Sequence, residues 1–240
     1  MSKTEVGDEL EGTVLVMAIA NPVIAMKQNL SIGFLHPIPL VLLAALLVSF
    51  AIDIPVAAFC KARGAPRFVD EILENVEPFG HGVGATLILL GVFVLDRSRR
   101  NRFLYLLGGS LGAGLVANLV KLTIVRSRPR TLGVLPENVW ATFGDFFSRE
   151  QRNATQSFPS AHTATAVGLA MMLSFFYPHG RWYFTGLAIL VGMQRIHCEA
   201  HFPSDVFAGA IIGWLVAMGC QASMTITANR QTNITARDAG

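Results

Sequence analysis

Charge is what this sequence most conspicuously lacks. Only 15% of its 240 residues are Asp, Glu, Lys or Arg, against about a quarter in an ordinary soluble domain. Cysteine is scarce too: Cys60, Cys198 and Cys220 are odd in number and scattered, which excludes a disulfide framework or a paired zinc-type spacing. They read as small apolar side chains in helices. A nucleic-acid partner is excluded as well. The net charge is only +3, the basic residues sit in short loops, and no basic stripe with interleaved aromatics is present. What the chain has in abundance is apolar surface, 52% of residues with a mean hydropathy of +0.49. It comes in long runs, so the lipid bilayer is the medium in which to reason.

The runs give six expected spans, at residues 38–59, 82–95 (extended back toward 79), 103–125, 160–177, 182–196 and 206–224. The expected fold class is therefore all-α, a polytopic six-transmembrane-helix bundle. Residues 1–35 form an acidic N-terminal segment. Within it, 13–26 is apolar but short for a span. The acidic leader with Glu5, Asp8, Glu9 and Glu11 argues for an interfacial helix over a signal peptide. Residues 36–225 make the membrane domain, and 226–240 a polar C-terminal tail. Residues 67–77 place apolar side chains at helical spacing and read as a short interfacial helix. The loop "DRSRRNR", 96–102, carries four arginines and belongs on the cytoplasmic side. Alternation then puts the long polar loop 127–158 and the turn 196–203 together on the other side.

Those two segments hold nearly all the unusual polar residues. Lys121 in "KLTIVRSRP" either snorkels to headgroups or serves a function, as ionisable groups in apolar spans commonly do. It shares a face with Arg128 if the helix continues, and a lysine with a guanidinium fork suits a phosphate dianion. Arg126 lies off that face and is expected to meet headgroups. In "SFPSAH", proline and serine are an ordinary helix start, but a helix N-terminus also attracts phosphate. Ser160 and the Ala161 amide would be donors there, with His162 placed to give a proton to a leaving oxygen.

"QRIHCEAHFPSD" allows two constructions. On one continuous helix His197, His201 and Asp205 would share a face and suggest a metal site. Pro203 disfavours that helix and favours a turn, from which Asp205 reaches back to accept from one ring nitrogen of His201. The other nitrogen is then left as a nucleophile, and Arg195 holds phosphate oxygens bidentately. The second construction, a phosphate site, is preferred.

These three stretches resemble the ordered signature motifs of the type 2 phosphatidic acid phosphatase (PAP2) superfamily: Lys-x6-Arg-Pro, Pro-Ser-x-His and Ser-Arg-x5-His-x3-Asp. The resemblance implies a metal-independent membrane phosphatase with no cofactor, working through a phosphohistidine on a membrane lipid phosphate or pyrophosphate. His201 would be the nucleophile, Asp205 its support and His162 the acid. Lys121, Arg128, Ser160, Ala161 and Arg195 would bind the phosphoryl group. It also implies a bacterial inner membrane, with the site facing the periplasm or exterior. Two positions depart from the pattern. Gln194 stands for the motif serine, expected still to donate a hydrogen bond, and Ala161 stands where glycine is common.

Other residues stay open. His197 and Glu199 line the turn and either touch substrate or, the preferred reading, take a solvated or headgroup role. His81 could approach the cavity from the second span, a structural role being preferred for it, and Trp140, Phe143, Phe146 and Phe147 serve as an interfacial anchor or shape a lipid entrance. The competing functions are a phosphotransferase using the same intermediate, a non-catalytic lipid-phosphate binder, and the metal enzyme of the first construction.

Overall fold

The computed structural model describes residues 37–62, 66–145 and 156–238. The expected interfacial segment at 13–26, and Phe146 and Phe147, lie outside the described residues. The helices are α1 Ile38–Ala62, α2 Arg67–Val76, α3 Gly82–Leu95, α4 Phe103–Lys121, α5 Ala161–Phe176, α6 Arg181–His197 and α7 Pro203–Asp238. Among the described residues there is no strand, only isolated bridges from Arg126 to Phe143 and to Gln156. The chain divides into two units. Pro37–Cys220 holds everything discussed below, and α7 from Gln221 onward, through the residues expected as a tail, belongs to the other.

Helices stand at all six expected span positions. Among the described residues, three segments are long and apolar enough to cross a membrane on their own: Ile38–Ala62, Arg97–Lys121 and Pro203–Thr227. A fourth counts if Arg67–Phe79 and Gly82–Leu95, bent by 63° at their junction, make one broken span. The helices α5 and α6 have 16 and 17 residues, short of the 20 or so that a bilayer core asks for.

Small residues set the packing. A Cβ on Gly168 of α5 would lie 2.1 Å from the Gly109 carbonyl oxygen of α4, so only glycine allows that approach. Ala113, Ala117 and Ala164 continue the seam. Lipid tails are as apolar as leucine, and close backbone approach is what holds such helices together. The same device brings α7 to the start of α5, where a Cβ on Gly209 would meet the Ser160 carbonyl at 2.3 Å.

The element ends position the polar residues. The β-branched run Thr123–Ile124–Val125 favours extended backbone, and α4 stops at Lys121. The helix therefore does not continue to Arg128, and the shared helical face expected for the pair is corrected. Instead, 125–127 runs extended, bonding Gly144 and Thr142 on one side (Gly144 N to Val125 O 3.0 Å, Ser127 N to Thr142 O 2.9 Å) and Ser157 on the other (Ser157 N to Arg126 O 2.9 Å). At the far end of α6, Glu199 takes the left-handed conformation (φ 53°) that commonly closes a helix. This turns the chain so that the Ala200 and His201 amides both reach the Arg195 carbonyl. Pro203 then opens α7 at the position where its missing N–H costs nothing.

Candidate active site

Asp205 organises the site. Three residues into α7, its Oδ2 accepts from the Phe202 amide at 2.8 Å, half of a capping box. The same oxygen accepts from the Ser157 hydroxyl at 2.5 Å and lies 3.6 Å from His201 Nδ1. Ser157 Oγ is itself 3.4 Å from that nitrogen. The expected direct bond from His201 to Asp205 is thus longer than a hydrogen bond, and Ser157 stands between them. The imidazole is buried. Burial first, offset by Asp205 and reinforced by Lys121 and Arg128, pushes the His201 pKa down to about 4, so the ring is neutral at neutral pH.

The other oxygen of Asp205 accepts from Arg126 Nη1 at 2.5 Å. Arg126 is wholly buried. It also donates to Asp53 Oδ2 (2.6 Å), Ser204 Oγ (2.7 Å) and Thr142 Oγ1 (3.0 Å). The Phe202 and Phe143 rings lie 4.2 and 4.5 Å from its guanidinium carbon. Asp53, from the middle of α1, completes the network by accepting from the Ser204 amide (2.9 Å) and hydroxyl (2.5 Å). Arg126 therefore does not meet headgroups. It carries a buried charge held by two carboxylates, the condition under which such burial is tolerated.

The cations expected to grip phosphate gather at the same end. Lys121 and Arg195 are buried, and Lys121 is within electrostatic reach of Arg128, Arg195 and Asp205. Arg128 is half-buried and makes one long bond, 3.4 Å to the Gln156 carbonyl. Burial, then Arg130 and Arg195, lower its pKa from the ordinary value, the sign of cations crowded without enough anion. Arg195 Nη2 pairs with Glu77 at 2.8 Å, and its Nε donates to Gln194 Oε1. Gln194, expected to donate, accepts instead and orients the arginine.

At the start of α5, Ser160 is the N-cap. Its hydroxyl accepts from the Thr163 amide (3.3 Å) and hydroxyl (2.9 Å), and its amide donates to the Asp205 carbonyl (2.9 Å). The Ala161 amide occupies the first helical position, where no intrahelical carbonyl is available. His162 Nε2 is buried with no hydrogen-bond partner among the described residues and lies 3.5 Å from Glu77 Oε1. His81 caps α3 through Nδ1, which accepts from Val83 N at 3.3 Å, and its ring centroid is 5.5 Å from that of His162. His197 turns away to Asp70 on α2 (2.7 Å) and so leaves the metal triad that a continuous helix would have made.

Asp53, Glu77, Ser157 and Ser204 were given no role from sequence, and Arg126 the wrong one. Only Asp53 carried a signal, an acid within an apolar span.

A helical membrane protein with buried cations and a supported neutral imidazole at one end defines a class, the membrane-embedded phosphate enzymes. The comparisons narrow it. The PAP2 superfamily profile matches residues 102–228, more than half the chain, and the protein belongs to that superfamily of phosphatases. A Lipid A 1-phosphatase of Rhizobium johnstonii is 29% identical over 188 residues, covering 71% of this chain and 72% of the relative. The Bacitracin transport permease protein BcrC of Bacillus licheniformis is 27% identical over 131 residues, 54% of this chain and 60% of its own. Among solved structures, Aquifex aeolicus LpxE superposes with a TM-score of 0.52 at 21% identity, covering 71% of this chain and 95% of its own. A Bacillus subtilis transmembrane PAP2 type phosphatidylglycerolphosphate phosphatase gives 0.53 at 17% identity, with 78% and 96% covered. At these identities the two structures speak for the fold.

Proposed function

We propose that the protein is an integral membrane lipid phosphatase that hydrolyses a lipid phosphate through a phosphohistidine on His201, without a metal. One observation carries this reading. A neutral imidazole, supported at Nδ1 by Ser157 and Asp205, stands at the end of the bundle where Lys121, Arg128 and Arg195 gather.

With Nδ1 engaged, Nε2 attacks phosphorus and the bond to the leaving oxygen breaks. His162 protonates that oxygen, its buried Nε2 having no competing hydrogen bond among the described residues. Asp205 supports the charge that grows on the attacking ring. Lys121, Arg128, Arg195 and the Ala161 amide stabilise the equatorial oxygens. A water molecule, losing its proton to His162, then cleaves the phosphorus–nitrogen bond and restores His201.

The substrate arrives sideways through the bilayer, for which a site at the ends of apolar helices is suited. The lipid A 1-phosphatase relatives favour a lipid headgroup phosphate. The arginine-rich turn Arg97–Arg102 lies at the opposite end of α4 from Lys121. The positive-inside rule then turns the site toward the periplasm or exterior of a bacterial inner membrane, with six helices traversing it. The test is phosphate release from a panel of purified lipid phosphates, lipid A 1-phosphate among them, in detergent with and without chelator. The reading requires chelator-resistant release that His201→Ala abolishes. Release by that variant, or release only with added divalent ion, defeats it.

A further inference from the structure

Glu77 occupies a position that the site's chemistry reserves for substrate. One oxygen, Oε1, is 2.8 Å from Arg195 Nη2 and 3.5 Å from His162 Nε2. One of those groups is assigned to grip phosphate and the other to protonate the leaving oxygen. The carboxylate is held there by built elements. It sits on the 3-10 turn Glu77–Phe79 between α2 and α3, and the turn is pressed onto the start of α5. A Cβ on Gly80 would lie 2.7 Å from the His162 carbonyl oxygen and 2.6 Å from Val191 Cγ1. On the other side, Asp70 ties α2 to His197 at the end of α6. About a third of the Glu77 side chain is exposed, which leaves it room to swing off Arg195.

We propose that Glu77 determines which phosphate esters the site accepts, its carboxylate yielding Arg195 to the phosphoryl group and then facing the leaving group. This rests on the reading above in which His162 is the acid. A phosphoryl dianion and Glu77 cannot both hold Arg195 at full strength, so binding must displace the carboxylate. Displaced, it remains tethered to its turn, on the side of His162. There it meets a neutral alkoxyl or sugar oxygen without penalty, but it repels a leaving group that is itself a phosphate. The site therefore selects phosphomonoesters of neutral alcohols over diphosphates.

The experiment compares dodecyl phosphate with dodecyl diphosphate in detergent, for the wild-type protein, Glu77→Gln and Glu77→Asp. Orthovanadate binding is followed by calorimetry as a readout free of turnover. Wild-type protein should favour the monophosphate. In Glu77→Gln the ratio of kcat/KM for diphosphate over monophosphate should rise about tenfold, the scale of one like-charge contact in a partly solvated site. Vanadate should bind more tightly, its internal competitor being gone. Glu77→Asp keeps the charge but falls short of Arg195, so it should tighten vanadate while retaining the preference for monophosphate. That variant keeps the proposal testable if Glu77→Gln does not fold. An unchanged substrate ratio in folded Glu77→Gln overturns the selection, and unchanged vanadate affinity in both variants overturns the displacement. If the wild-type protein releases phosphate from neither probe, the selection as stated fails, vanadate binding still tests the displacement of Glu77, and the phosphatase reading is decided separately by the lipid panel.

Discussion

The two ends of α4 use the same three ingredients, an arginine, an aspartate and aromatic rings, with opposite consequences. At the end near Phe103, Arg99 lies 3.2 Å from Asp96, with both side chains about a quarter exposed. The Tyr177 ring is 4.4 Å from its guanidinium carbon, and the Tyr177 hydroxyl donates to Asp96 at 2.9 Å. Water shares these charges, and a pair of that kind contributes about 0–1 kcal/mol. At the Lys121 end, Arg126, Asp53 and Asp205 have no exposure at all. No water replaces a lost partner there, and each group depends on the others. Burial, not residue type, separates a loose fastening at a membrane surface from a framework that fixes a candidate nucleophile.

The comparison breaks most sharply if the framework and the chemistry separate. His201→Ala should cut phosphate release by at least about 10^4-fold, the scale for losing a nucleophile, while leaving the pairing of Arg126 intact. Phosphate assay and thermal unfolding of the same sample test this, and a melting point lowered more than in Arg126→Ala would make His201 structural. Next comes Arg126→Ala, which strands two buried carboxylates. About 3–5 kcal/mol of stability should be lost, read as a lower denaturation midpoint in detergent. A loss under 1 kcal/mol would erase the distinction between the ends.

The pH dependence is a smaller effect. The proposed attack by His201 needs the neutral ring, and its pKa is lowered to about 4. In the free enzyme the acid limb of kcat/KM, set by His201, should fall tenfold per unit below that value, while the alkaline limb is set by the proposed acid His162. Stability should decline earlier. The unfolded chain takes up this proton near pH 6.5 while the folded protein resists it down to about 4, so lowering pH between those values favours unfolding. An acid limb of kcat/KM near 6.5 would show that burial does not govern the ring. The smallest effect is expected from Arg99→Ala, under about 1 kcal/mol and without loss of activity.

Helix positions and the order of the motif residues were legible because both are local. Apolar runs mark the helices, and Pro203 marks the break before Asp205. Gln194 next to Arg195 and Ser160 before His162 were legible as positions, but not in how their polar atoms are used. Arg126 was misread because a helix was extended past Lys121, where the β-branched run ends it. Its partners Asp205 and Asp53 are 79 and 73 residues away, and no spacing rule reaches that far. Glu77 was invisible for the same reason, as its place beside Arg195 depends on the bend between α2 and α3.

By itself the amino-acid sequence determined that the chain is helical and apolar, where its helices lie, and that its reactive residues come in three ordered clusters. Periodicity, proline and hydropathy act over a few residues, and they suffice for that. Tertiary structure alone decided which charges lose water and which carboxylate each arginine meets. Desolvation depends on what packs around a group from distant parts of the chain, and so Arg126 became the buried partner of Asp205 while Arg128, two residues on, stayed half open beside the other cations.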